Sequence, residues 1–349
     1  MSKQTTLRLL ASAAWSTAAC MLFLAPGQVS AQSPYKVLDK WKIGGDGWWD
    51  YLTADSAAHK LYLSRGPQVL VVDAVTGKQI GAITGMHGTH GIALDDAGKY
   101  GYITDGAPAN AVVVFDRTTL ASVATIPTGG QGPDGIVFEP VTKTVWAFEG
   151  RSKDAAVIDA ATWKVVALVP LPGRPESPVA DGKGLVYDNL EDKSAIIRID
   201  ARTRAITANW PLTGCEGPSG LAIDAAGAHL FPVCDKQMAV VDTASGKTIA
   251  NPTIGDGPDA AGFDAAHKLA FASCGEGVLS VVDASKPGYP TIETLPTERG
   301  ARTMAYDAGA DRIYTVTAEF GPRPAATPEN PRPRPPILPG SFTVIVIGR

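Results

Sequence analysis

The stretch Val71-Val72-Asp73, with Thr76-Gly77 close behind, is one of six copies of a short apolar run that ends in Asp and leads to a hydroxyl or Lys three residues on. The other copies are Val114-Phe115-Asp116, Val157-Ile158-Asp159, Arg198-Ile199-Asp200, Val240-Val241-Asp242 and Val281-Val282-Asp283. Their spacing of roughly forty residues is the length of one four-stranded blade of a β-propeller, a unit that cannot bury its two faces alone. The repeated Asp has a structural reading. Its carboxylate can accept hydrogen bonds from backbone NH groups two or three residues on and so hold the turn into an outer strand.

Working outward from that turn, the full unit reads as an inner strand, a tight polar turn, a second strand, a loop, a third strand ending in the repeated Asp, and an outer strand. In the second unit these are Gly91 to Leu94, Asp95 to Gly98, Tyr100 to Thr104, Ala111 to Phe115 and Ser122 to Ile126. Period-2 alternation is weak in the inner strands, as expected for strands covered on both faces. Inner strands begin near Tyr51, Gly91, Gly135, Pro178, Gly220, Ala260 and Arg302, which predicts seven blades in an all-β domain over 32–349. The last unit lacks an outer strand. Lys36 to Ile43 has the length and pattern to fill that place, so the N-terminal strand is expected to pair into the C-terminal blade and close the ring.

Of the 349 residues, the first 31 read as an export signal. Lys3 and Arg8 precede an apolar stretch from Ala11 to Leu24, followed by Pro26-Gly27 and the small-residue site Val29-Ser30-Ala31. Cys20 raises lipidation as an alternative, though the apolar run continues beyond it. Cleavage after Ala31 takes the formal net charge from -4 to -6, because two cations and no acids leave. That balance argues against nucleic acid or anionic lipid as the main partner. Nothing downstream is apolar and long enough for a membrane span, so a soluble periplasmic protein without membrane insertion is expected.

The Asp73-x-x-Thr76-Gly77 turn, the V-x-V-x-D strands and Ile92-Ala93-Leu94-Asp95-x-x-Gly98 before an aromatic strand resemble the YVTN-repeat, or YncE-like, family of exported seven-bladed propellers. The resemblance spans residues 35 to 349 and implies a periplasmic or envelope location. It supplies no common catalytic set, so function must be read from the loops.

Loops leading into inner strands and loops between second and third strands emerge on one face, where function on a rigid scaffold is expected. That face gathers Asp50, Arg65, His90, Asp134, Arg151, Glu176, Glu191, Asp259 and Arg302 as candidate ligand-binding residues. The expected function is binding of a small molecule or peptide segment at the polar mouth of the channel. A metal site could use His90 with Asp50, Asp134 and Asp259. A hydrolase or lyase, lactonase-like or streptogramin-lyase-like, could use Glu176, Glu216 or His90 with Arg65, Arg151 or Arg302. Trp48 and Trp49 are adjacent, so at most one faces the pocket as a platform while the other packs between blades. Ser219 lies outside any nucleophile elbow. A protein-docking scaffold is the remaining alternative.

Cys215 and Cys234 should reach the same end of the fifth blade and pair, closing a loop of about twenty residues and contributing on the order of 3 kcal/mol. Cys274, one blade on, is the alternative partner for Cys234 and otherwise a small buried filler. The Pro-rich insertion 321–340 interrupts the seventh blade on the polar face. Its polyproline character suits a stiff flap that places Arg323, Arg332 and Arg334 near Glu176 or Asp259, or that meets a protein partner.

Overall fold

Seven antiparallel four-stranded sheets form a ring, with the fifth carrying one extra short strand. The computed structural model describes residue 1 and residues 35–327, 330–331 and 333–349. The expected signal peptide lies outside the described residues save for residue 1. Among the described residues no helix is long and apolar enough to cross a membrane.

Blade one comprises Trp49–Asp55, Lys60–Arg65, Gln68–Asp73 and Gln79–Ile83 from the axis outward. The inner strands of the next five blades are Thr89–Leu94, Pro133–Glu139, Pro175–Ala180, Leu221–Asp224 and Pro258–Asp264, and that of the seventh is Met304–Asp307. Successive side chains along a strand point to opposite sheet faces, so each strand serves two neighbours. In blade one Leu61 and Leu63 pack toward blade seven, whereas Tyr62 packs toward blade two. The same division holds around the ring, giving seven apolar clusters, one at each blade interface. This two-sided burial is why the second and third strands read as unbroken apolar runs.

The repeated Asp takes its predicted role. Asp73 Oδ1 accepts from the Val75 amide at 3.0 Å, the Thr76 amide at 2.7 Å and the Thr76 hydroxyl at 2.9 Å. Asp116, Asp159, Asp200, Asp242 and Asp283 make equivalent contacts. Gly77 sits in this turn at φ 70°, and a Cβ there would lie 2.3 Å from the Trp41 ring. Glycine therefore both permits the turn and lets the closing strand lie over it.

That closing strand is Lys36–Lys42, which pairs antiparallel with Thr343–Gly348 as the outermost strand of blade seven. Tyr35 ahead of it is buried against Phe271 of blade six, and Arg349 at the other terminus donates to Asp264 at 2.8 Å. Blade five departs from the pattern for a local reason. Pro232 has no NH to offer its third strand, which breaks into Gln237–Met238 and Val240–Asp242 at Ala239. The Cys215–Cys234 disulfide is present there, with Cα atoms 5.4 Å apart. Cys274 is buried and unpaired as a cysteine, and burial pushes its thiol up to about 12.

Candidate functional site at the channel mouth

In five blades the inner strand carries one residue more than its partner just inside the mouth. The extra residue falls between Trp49 and Leu52, Thr89 and Ile92, Pro133 and Ile136, Pro175 and Pro178, and Pro258 and Ala260. A β-bulge bends a strand and re-aims a side chain. The re-aimed positions hold Asp50, His90, Asp134, Glu176 and Asp259, and all five line a cavity of about 740 Å3. Ser219 of blade five and Arg302 before blade seven complete the circle. The repeat thus supplies one polar side chain per blade at one height.

Side chains of the second strands fix this geometry from behind. The Thr104 hydroxyl donates to the Asp134 carbonyl at 2.6 Å, the Asn189 amide to the Ser219 carbonyl at 2.7 Å, and the Ser273 hydroxyl to the Arg302 carbonyl at 2.5 Å. Blade three has Phe148 at the matching place. Tyr51 instead reaches across the channel from blade one and donates its hydroxyl to the Glu176 carbonyl at 3.1 Å. Below Tyr51 the same strands line a second chamber of about 390 Å3, walled by Leu52, Val179, Leu221, Ala261, Phe263 and Tyr306 among others. Tyr51 is thus the floor of an acid-lined upper chamber, and the side chains around the lower one are uncharged.

The charges at the mouth are paired unevenly. Arg302 meets Asp259 at 3.1 Å, where the Ser219 hydroxyl also donates at 3.1 Å. Arg174 meets Glu191 at 2.9 Å and Glu176 at 3.7 Å. Asp50 and Asp134 share one imidazole: His90 Nδ1 is 2.7 Å from Asp50 Oδ2 and 3.7 Å from Asp134 Oδ1. Burial, then the Asp50 charge, pushes the Asp134 carboxyl up to about 7. Burial, then the Asp134 charge, pushes Glu176 up to about 8. Asp259 is raised by burial against the opposing pull of Arg302, and the bond to Asp50 raises His90. Near neutrality the mouth therefore holds carboxyls that resist ionisation, first because they are buried and then because negative charge is crowded there.

Not every candidate reaches the cavity. Glu191 lines it from a short 3-10 turn, Glu191–Lys193. Arg65 lies outside it, 1% exposed, with its guanidinium donating to the Gly45 carbonyl at 2.9 Å and stacked 4.0 Å over Phe342. Arg65 shares the strand parity of Leu61 and Leu63, which sends its side chain into the interface with blade seven rather than into the channel. Arg151 also lies outside, on an exposed turn where its stem packs over Gly132. The expectation that only one tryptophan faces the pocket is not met: Trp48, exposed at the mouth, and Trp49 both line the cavity, and Trp49 also packs against Phe342 at a 5.3 Å centroid distance between blades seven and one.

The base of the Pro-rich flap is a short ladder, with Gly321 donating to the Pro336 carbonyl and Leu338 to the Glu319 carbonyl, both at 2.8 Å. The flap brings Arg334 to the cavity wall, 5.2 Å over the Trp48 ring, where its charge favours ionised Asp259. Arg323 is exposed, and Arg332 lies outside the described residues.

Three residues at or behind the mouth escape a loop-based reading. Tyr51 and Arg174 carry no motif. Asp188 does stand out once the repeats are aligned by register, because Leu63, Ile103 and Ala147 hold its place in other blades. It is fully buried behind Glu176, and neither oxygen has a hydrogen-bond partner of normal geometry. Burial, then the Glu176 charge, drives its carboxyl well above the usual range, against the opposing pull of the nearby Glu176 amide.

No protein-family profile matches the chain, and no curated protein matches it. Among solved structures it is similar to Kuenenia stuttgartiensis hydrazine synthase, at 16% identity and a TM-score of 0.68, over 76% of this chain and 91% of that one. It is also similar to U3-55K, at 9% identity and 0.70, over 89% and 98%, and to the WD40 repeats of RRP9, at 9% and 0.70, over 91% and 98%. At such identities likeness speaks for architecture alone, and together with the seven sheets it makes this chain a seven-bladed β-propeller.

Proposed function

We propose that this propeller is an exported protein of YVTN-like repeat that binds a small molecule in the upper chamber, and that the bound molecule brings positive charge. The observation that carries the reading is the ring of bulged positions: four acids and one imidazole converge on a cavity of about 740 Å3, a volume suited to a small ligand. Carboxyls held above their ordinary range mark a place where added positive charge is favourable. Arg334 over Trp48 supports the same view, since a guanidinium already rests on that ring. A docking scaffold would call for a shallow mouth with its charges mutually paired, and Asp50 with Asp134 on one imidazole fits that poorly. The hydrolase or lyase reading rests on Glu176, which near neutrality keeps a proton to donate.

Ligand-observed NMR tests binding with agmatine, choline and arginine as cationic probes, and glutamate and glucose as controls. Saturation transfer to a cationic probe that is lost in Glu176→Gln plus Asp259→Asn supports the reading. Equal response to glutamate, or transfer untouched by those changes, contradicts it. Export is tested by fusing residues 1–40 to a reporter enzyme that is active only outside the cytoplasm.

A further inference from the structure

We propose that Asp50, His90 and Asp134 form a binding site for one divalent transition-metal ion on the wall of the upper chamber. The proposal rests on the reading of that chamber as a site for positive charge and names the ion that supplies it. Blades one, two and three each contribute one ligand from the same bulged position, and the three donor atoms lie within 4.8 Å of one another. A metal about 2.1 Å from each donor needs donors roughly 3 to 3.5 Å apart. The two separations from His90 Nδ1, 2.7 Å and 3.7 Å, bracket that range, and with Asp50 and Asp134 no more than 4.8 Å apart the carboxylates need to close by at most about an ångström. One imidazole with two carboxylates suits manganese, iron or zinc better than calcium or magnesium, which favour oxygen alone. The side facing the cavity leaves coordination positions for water or for an oxygen of a second ligand.

The same molecule contains its own control. Asp264, His267 and Asp311 form a second cluster of identical composition at the seam between blades six and seven. There the chain supplies the cation. Arg349 lies 2.8 Å from Asp264, 2.7 Å from His267 Nδ1 and 3.5 Å from Asp311. At the mouth, among the described residues, no Lys or Arg lies within ion-pair distance of Asp50 or Asp134. A divalent ion at the triad does for this cluster what Arg349 does for the other.

The test is equilibrium dialysis of the chelator-treated full protein against Zn2+ and Mn2+ with elemental analysis, alongside the absorption spectrum with Co2+. The expected result is one ion per chain and a Co2+ spectrum showing nitrogen ligation. His90→Gln and Asp134→Asn should each weaken binding by at least about a hundredfold, more than loss of an outer-shell partner costs. His267→Gln should leave it unchanged. Metal should raise the Tm of the parent protein but not of His90→Gln, and similar metal-free Tm values would show that the variants fold. Binding absent with Zn2+, Mn2+ and Co2+, or abolished by His267→Gln and not by His90→Gln, overturns the proposal. If the metals fail while agmatine or choline still binds, the metal site falls and the chamber reading stands. If both fail, both fall.

Discussion

The two ends of this propeller use the same residue type in opposite ways. At the far end Asp73, Asp116, Asp159, Asp200 and Asp242 sit in exposed turns with carboxyls held below their ordinary range. Backbone amides lead that effect at Asp73, Asp116 and Asp200, and hydroxyls lead it at Asp159 and Asp242. At the mouth Asp134, Glu176 and Asp259 are held above their range by burial, with neighbouring acids adding to it. An acid whose hydrogen bonds come from its own turn is part of the scaffold. One that is crowded with others around a cavity keeps its capacity for a partner. The comparison separates repeat-building acids from site-building ones without reference to any other protein.

Replacing both Cys215 and Cys234 by Ser gives the largest expected effect, a loss of about 3 kcal/mol in denaturant unfolding. The disulfide lies at the mouth, so binding should also weaken if its lining is as rigid as the bulges imply; unchanged stability would show that the link holds nothing. Tyr51→Phe comes next, costing about 1 kcal/mol for the bond to the Glu176 carbonyl. A loss of mouth binding well beyond that figure would make Tyr51 a ligand contact as well as a floor.

Glu149 sharpens the contrast through pH. It is fully buried near the mouth, accepts from the Thr128 hydroxyl at 2.5 Å, and is pushed up to about 8 by burial first, with Asp154 adding to it. A carboxyl raised in the folded state binds its proton more tightly there than when unfolded. Its contribution is therefore complete below the unfolded value and fades as pH rises through about 8. The parent Tm should fall between pH 6 and pH 9 more steeply than that of Glu149→Gln, as read by calorimetry. Parallel curves would remove Glu149 from the account.

The smallest effect belongs to the far end. Asp73→Ala should lower Tm by only about 1–2 °C, since the site is exposed, and leave mouth binding unchanged. A change in binding would break the division between the two ends.

Much of this was legible in the chain. The spacing of the six Asp turns predicts a propeller and the seven inner-strand starts its seven blades, the missing outer strand predicts the closing one, and blade position predicts the Cys215–Cys234 pair. The circle of inner-strand residues follows from loop placement, but the bulges that aim them do not. A bulge is a property of the pairing register and leaves no fixed residue type behind. Arg65 was readable by a different rule, since strand parity with Leu61 and Leu63 sends it into a blade interface. Tyr51 was not, because its partner is a carbonyl on the opposite side of the ring, brought near only by closure. Arg151 lies within an exposed turn outside the cavity, and nothing in the repeat pattern marks that.

The most direct test of the central contrast is carbon-13 NMR of side-chain carboxyls across a pH titration of metal-free protein, with Glu176 and Asp116 assigned by substitution. The account predicts that Glu176 titrates near 8 while Asp116 titrates below the ordinary aspartate range. Both groups titrating together in the ordinary carboxylate range would contradict it.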